Sequence, residues 1–235
     1  QKQYGGAWDA LAKAQQDGRK YFTTYSLLEK GRGFESELFT YARTLVRGAV
    51  ERKKPNEDRL REFRESALPS LTNRLFGHQV QYPQLEELTF TYSLTKLREA
   101  LGPDHPLVKK IFGQYSPEEI AHNLVSNSHL GESAVRKQLW EGGAAAIASS
   151  ADPMIKFARA VDDDARAIRK QYEDEVESVV DKNAELVAKA LFTVQGTTIY
   201  PDATFSLRLT FGQVRGFKDS WREVPAMTTL RGAFE

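Results

Sequence analysis

Four histidines and no cysteine bound the chemistry open to this chain of 235 residues. His122 and His129 stand seven apart, about two helical turns. They would face one metal only if a single helix ran through Ser126-Asn127-Ser128, which reads as a helix end. Zinc asks for three or four convergent ligands, so both are read as surface or capping histidines. His78 and His105 fall in apparent loops, with no acidic partner at a recognisable spacing. Asp162-Asp163-Asp164 looks like a cation site at first sight. Three successive helical residues point in three directions, so they cannot all grip one ion. A solvated acidic patch or a helix start is the better reading, with Arg166 and Arg169 placed for ordinary helical ion pairs. No serine sits in a Gly-x-Ser-x-Gly setting, and no Ser/His/Asp set follows from spacing, although triads are defined by geometry. Gly5-Gly6, Gly31-Arg32-Gly33 and Gly142-Gly143 lack a following Lys-Ser or a strand–helix frame, so they are not phosphate loops. The residues taken alone give no catalytic group, no metal site and no cofactor.

The elements that would position such groups are helices for most of the length. Residues 7–30 read as a helix with Trp8, Leu11, Tyr25 and Leu28 as core contacts and Gly18 as a weak point. Phe34, Leu38, Ala42, Leu45 and Ala49 form an apolar stripe that predicts a helix over 34–52. Arg52-Lys53-Lys54 suits its C-terminus and Pro55 stops it. Asn56 caps the next, whose core face is Leu60, Phe63, Ala67, Leu71 and Leu75, with a kink or split at Pro69. Pro83 opens another, with Leu85, Leu88, Tyr92 and Leu101 toward its buried side and Gly102-Pro103 at its end. A short helix over 104–112 closes at Gly113. Ser116-Pro117-Glu118-Glu119 is a capping box with Pro at the first helical position, starting a helix to Val125. Residues 131–140 give a short helix stopped by Gly142-Gly143. Asp152-Pro153 repeats the cap-then-Pro signal. After it Met154, Phe157, Val161, Ala165, Ile168, Tyr172, Val176, Val179, Leu186 and Ala190 recur at three or four residues. That predicts one long helix, or two broken near Asp162-Asp163-Asp164.

The period changes once. Phe205, Leu207, Leu209 and Phe211 alternate with Ser206, Arg208 and Thr210, the pattern of a strand with one buried face. Tyr200-Pro201-Asp202 turns the chain into it. Gly212-Gln213 offers a turn to a second short strand at Val214, Gly216 and Phe217. Asp202 and Arg208 are the polar residues to watch. Asp202 holds the turn and Arg208 pairs with a nearby carboxylate, or the two orient the hairpin against a neighbouring domain. The fold class is therefore mainly α, an irregular multi-helix bundle with a β-hairpin near the C-terminus. Residues 1–198 form the helical part, and 199–235 the hairpin and a return segment.

Composition is that of an ordinary globular protein: 40% hydrophobic, 28% charged and a net charge of +1. Such a balance gives no strong pull toward nucleic acid or an acidic membrane. No apolar run approaches the ~20 residues of a membrane span, and QKQYGGAWDA does not read as a signal peptide.

The stretch YPDATFSLRLTFGQVRGF at 200–217, with Pro225 and Thr228-Thr229 beyond it, resembles a segment of serine peptidase family 46, the bacterial dipeptidyl aminopeptidases. LFTYARTLVRGAVERKKPNEDRLREF at 38–63 and SSADPMIKFARAVDDDAR at 149–166 fit the same family in the same order. The resemblance implies a chymotrypsin-type double barrel with a large helical domain inserted between its parts, and this chain looks like that insertion. The catalytic His and Asp would lie before residue 1, and the catalytic Ser, in a Gly-Asn-Ser-Gly-Ser-Pro loop, after residue 235. The Asn that helps hold the substrate's free amino group is expected upstream. No catalytic residue carries over to this chain. Implied further are a peptide substrate met through the barrel, a homodimeric parent, and a periplasmic or cell-surface location, with no nucleic acid, membrane or cofactor. The rival reading is a stand-alone helical adaptor that binds a protein or peptide, marked by a contiguous apolar groove.

Overall fold

The helices begin where their caps place them. In the computed structural model, residues 4–77, 82–196, 211–220 and 222–227 are described. In chain order they carry α1 (Gly5–Leu28), α2 (Glu37–Glu51), two 3₁₀ turns (Asn56–Asp58 and Arg61–Phe63), α3 (Leu68–Phe76) and α4 (Pro83–Leu101). Then come α5 (Pro106–Phe112), α6 (Pro117–Ser126), α7 (Ser133–Ser149), α8 (Pro153–Tyr172), a π turn (Glu173–Glu177) and α9 (Ser178–Gln195). The Ser36 hydroxyl accepts Phe39 N–H at 3.1 Å to start α2. At α6 the capping box closes in both directions: Glu119 N–H donates to Ser116 Oγ at 3.2 Å, and Ser116 N–H to Glu119 Oε2 at 2.8 Å. Asp152 takes Met154 N–H at 2.9 Å and Ile155 N–H at 3.3 Å to start α8. Each such cap is worth about 1 kcal/mol.

Helices α2 and α8 are the centre of the body. They pack on one another; α7 lies against α2, α1 against α8, and α6 bridges α4 and α8. Between them sits a dry aromatic layer. Phe34, Phe39, Phe90 and Phe157 meet with ring centroids 4.8 to 6.4 Å apart, mostly edge to face. Leu94, Leu97, Met154 and Ile155 are fully buried in the same core. The α2–α7 crossing is close because position 48 is glycine: a Cβ there would overlap the Trp140 ring. Arg136 of α7 is buried with no carboxylate beside it. It donates to the carbonyls of Leu75 (2.5 Å), Gly77 (2.8 Å), Leu130 (2.6 Å) and Gly131 (2.9 Å), and its guanidinium lies 4.1 Å over the Tyr41 ring. The cation thus caps the carbonyl end of α3, where the helix dipole is negative.

Of the two readings of the pattern after Asp152 the unbroken one holds: it continues past Asp162 and through the π turn into α9. The wider turn lets Tyr172 stack on Tyr25 at 4.1 Å while Val176 packs against Gly18 of α1. Gly18 is therefore a contact point inside an unbroken helix. In α9 no residue is fully buried, so Val179, Leu186 and Ala190 are only half-covered. Gly142-Gly143 kinks α7 at Gly143 (φ 57°) without stopping it, since the helix resumes to Ser149. The apolar pattern of α4 carries two stripes, and of the residues expected on its buried side only Leu101 packs against the core. Phe90, Leu94 and Leu97 are buried, whereas Leu85, Leu88 and Tyr92 are 56%, 66% and 61% exposed. Trp8 of α1 is exposed as well. The split at Pro69 is real: the 3₁₀ turns precede it, and Pro69 falls in the first turn of α3.

Residues 1–191 and 192–235 form two separate compact units. The second contains an antiparallel hairpin of β1 (Phe217–Asp219) and β2 (Arg222–Val224), pairing Phe217 with Val224 and Asp219 with Arg222. The chain is thus mainly α with a hairpin near its C-terminus. It is not the hairpin read from the sequence: the strand expected at Phe205, Leu207 and Leu209 lies outside the described residues, Phe211 to Gly216 carry no strand, and Gly212-Gln213 is not the turn of the pair described. Gly216 is needed beside it, because a Cβ there would come 2.7 Å from the Val224 carbonyl oxygen.

Candidate functional site

Further along the same α2–α8 contact, from Phe39 and Phe157 to Arg47, Asp162 and Arg166, charge replaces carbon. Arg47 of α2 is nearly buried and donates to three carboxylate oxygens: Nε to Asp162 Oδ1 at 2.5 Å, and its two Nη groups to Glu29 at 2.9 and 2.7 Å. Asp162 also takes Arg166 Nε at 2.7 Å, and Arg166 reaches the fully buried Glu51 at 2.7 Å. Arg169 ties Glu173, Glu62 and Glu29 together at 2.7, 2.6 and 3.2 Å. One seam of alternating guanidinium and carboxylate therefore joins α1, α2, a 3₁₀ turn and α8.

The electrostatics follow from that geometry. Burial pushes the Glu51 carboxyl up, but bonds from Leu60 N–H, Lys54 and Arg166 together outweigh it and hold it below the usual carboxylate range. Glu62 behaves the same way, with Arg169 as its main partner. Arg169 is held above its ordinary value, because its bonds to Glu62 and Glu173 overcome its burial. Arg43 moves in the opposite direction. Burial, reinforced by the like charge of Arg47, pulls its guanidinium down to about 10.

Arg43 borders an open recess of about 340 Å³ on the outer side of α2. Glu37, Thr40, Thr44 and Arg74 share its wall, with Leu71 and Leu75 as an apolar base. Burial, and the neighbouring Glu37 carboxylate after it, raise the Tyr41 hydroxyl at the same place. The recess can hold a small charged group. Nothing in it is an activated nucleophile.

The groups singled out in the sequence do not converge. His122 faces Glu87 of α4 at 3.1 Å and His129 faces Glu132 at 3.7 Å, both at the surface. His105 Nδ1 accepts Leu107 N–H at 3.2 Å as the cap of α5. Ser128, His129 and Asp152 do meet, yet in the wrong order for catalysis. The Asp152 carboxylate takes the Ser128 hydroxyl and the backbone N–H of His129, while the His129 ring points to Glu132. Among the described residues no histidine bonds a serine, and no group of three or more His, Asp or Glu is placed to hold a metal. The acidic triplet does point in different directions, but it is not simply a solvated patch. Asp162 is buried in the seam, Asp163 is exposed, and Asp164 pairs with Lys110 at 2.7 Å. His78, Asp202 and Arg208 lie outside the described residues. Sequence reading missed Glu29, Arg47, Glu51 and Glu62. The four-residue spacings Arg43/Arg47/Glu51 and Asp162/Arg166 were the available signal.

Among the described residues no histidine is paired with a serine as a base with its nucleophile. The family model described as Peptidase S46 matches residues 1–235. The chain belongs to the peptidase S46 family.

Proposed function

We propose that this chain is the helical cap of a serine dipeptidyl aminopeptidase that releases dipeptides from peptide N-termini. The chymotrypsin-like catalytic domain lies outside these residues. The observation that carries this reading is the pairing of a family match over 1–235 with a helical body whose described histidines bond carboxylates or backbone. An exopeptidase must close its cleft beyond the second residue and admit only chain ends. A body tied together by buried ion pairs and an aromatic layer is rigid enough to be such a wall. The Ser nucleophile, its His base and the oxyanion donors belong to the other domain. Peptide substrate is met through that domain, the parent is a homodimer, and the enzyme works in the periplasm or at the cell surface.

The test compares three proteins on a dipeptidyl–dye substrate and on an internally cleavable, N-terminally blocked peptide. This chain alone should turn over neither. The full enzyme should cut only the first. A full enzyme lacking the cap should gain cleavage of the blocked peptide. Equal cleavage of the blocked peptide with and without the cap removes the gatekeeping role.

One feature favours the adaptor reading: the exposed α4 stripe of Leu85, Leu88 and Tyr92. An adaptor would use it when free, so Leu88→Glu would abolish partner capture by the isolated chain. A cap would show the effect only in the full enzyme.

A further inference from the structure

An open groove of about 880 Å³ lies between α7, the end of α6 and the start of α8. The bend of α7 at Gly143 (φ 57°, ψ −143°) lets both halves of that helix line it: Val135, Gln138 and Leu139 come before the bend, Ala146 and Ser149 after. A residue with a Cβ is strained at such a φ. Val135 and Leu139 are half-buried against the core and give the groove an apolar side. Its two ionisable lining groups are already engaged. The Asp152 carboxylate accepts the N–H groups of Met154, Ile155 and His129 and the Ser128 hydroxyl. The His129 ring turns to Glu132 at 3.7 Å. What remains is amide. Among the described residues the side chains of Asn123 and Gln138 make no hydrogen bond. Asn127 spends an N–H on the Asn123 backbone carbonyl at 2.9 Å and keeps its own side-chain oxygen.

A carboxamide carries donors and an acceptor on one planar group. Beside an apolar surface with no unengaged charge, that selects the ligand. A charged group finds no counter-ion there. A purely apolar one strips water from the amides and returns no hydrogen bond. A peptide backbone satisfies both surfaces, since each residue offers one N–H and one C=O and one carboxamide can meet both. We propose that this groove binds a short free peptide of uncharged residues in extended form, held through its backbone by Asn123, Asn127 and Gln138, with apolar side chains against Val135 and Leu139. About 880 Å³ stands toward the upper end of ligand clefts and leaves room for several residues. The ligand class follows from the groove alone and does not rest on the function proposed above, because the ends of the peptide take no part.

NMR and calorimetric titration of this chain reads binding without any turnover. The probe is acetyl-Ala-Val-Ala-Val-Ala-amide. It is compared with the same peptide free at both ends, with a version N-methylated at alternate residues, and with versions carrying Glu or Lys for each Val. The blocked and free Val peptides should bind saturably and equally, and shift resonances of Asn123, Gln138 and Ser149. N-methylation removes N–H donors and keeps the side chains, so it should weaken binding about tenfold. Asn123→Ala and Gln138→Ala should each weaken it about five- to tenfold. Both positions are exposed, so the urea midpoint should stay in place. The Glu and Lys peptides should bind more weakly than the Val peptide. Absence of saturable binding by either Val peptide overturns the proposal. So does full affinity for the N-methylated peptide or in both variants, for the groove then reads apolar side chains only. Tighter binding of the Glu or Lys peptide overturns it too, because charge is then what is read. Binding of the free peptide with the blocked one inert would mean recognition of chain ends, which sinks this site and leaves the peptidase reading intact.

Discussion

The same two helices, α2 and α8, bury an aromatic layer along one stretch of their contact and an ionic seam along the next. In the first, Phe39 and Phe157 meet Phe34 and Phe90 with no polar atom to satisfy. In the second, Arg47 and Asp162 meet at 2.5 Å, within a chain of guanidinium–carboxylate bonds. The first gains from area removed from water and has little preference for which ring sits where. The second gains little net energy, because desolvation offsets attraction. What it supplies is direction: each fork fits one partner, so a helix slid by a turn would strand several buried charges. We read the layer as the source of stability and the seam as the source of register.

Removing one member from each stretch gives the largest effects and looks alike at first. Phe90→Ala, at a fully buried position, should cost about 3–5 kcal/mol of unfolding free energy. Asp162→Ala should cost about the same, for it leaves Arg47 and Arg166 buried and short of a partner. The stretches separate when the partner is removed too. Arg47→Met with Asp162→Leu should recover part of that loss, since this pair then goes together while Arg166 and Glu29 each still lose one partner. Among the described residues one buried nitrogen of the seam, Arg166 Nη2, has no protein hydrogen-bond partner. No polar change elsewhere should rescue Phe90→Ala. Urea titrations with an unchanged slope check all three; a double variant no better than Asp162→Ala alone would deny the seam its pairwise character.

Acid should act on one stretch only. Glu51 and Glu62 have folded-state values below their ordinary 4.5. A depressed carboxylate contributes stability that is fully present above its unfolded value and disappears as pH falls through the folded one. Stability should therefore decline from about pH 4.5 downward. Glu51→Gln, which leaves Arg166 and Lys54 unbalanced, should lower the neutral plateau and flatten that decline. Phe90→Ala should lower the whole curve without changing its shape. Unfolding midpoints at neutral pH and across the acid range separate the two behaviours.

How much of this was legible in the sequence depends on what fixes each feature. Caps are local, so Ser116 and Asp152 could be read with the prolines that follow them, whereas the apolar stripe starting at Phe34 hid the cap at Ser36 that begins α2 at Glu37. The aromatic layer was only half legible. Phe34 and Phe157 lie on clear stripes, but α4 has apolar residues on two faces, and periodicity cannot choose between Leu85-Leu88-Tyr92 and Phe90-Leu94-Leu97. Tertiary packing made that choice. A hairpin near the C-terminus was expected, but the strands Phe217–Asp219 and Arg222–Val224 were not, because three residues alternate too briefly to show a period. The seam and its recess stayed hidden for a different reason. Arg166 bonds Asp162 within one helix, which spacing reveals, but also Glu51, which is 115 positions away. Long-range partners of a charge leave no pattern in one sequence.

The smallest expected effect is the sharpest check, because it lies within the acidic triplet itself. Asp162 and Asp164 are two residues apart on α8 and each holds one basic side chain from another helix, Arg47 and Lys110. Their bonds are alike in length, 2.5 and 2.7 Å, but the Asp162 pair is buried and the Asp164 pair is 44–48% exposed. An exposed pair in high dielectric is worth about 0.2–1 kcal/mol and is screened by salt. Asp164→Asn should thus shift the urea midpoint barely beyond error, and added sodium chloride should erase the shift. Asp162→Asn should keep its large penalty in salt, since ions do not reach the seam. If the two variants fell together, burial would not be what separates a register-setting charge from a decorative one, and the contrast between the two stretches would have to be sought in packing alone.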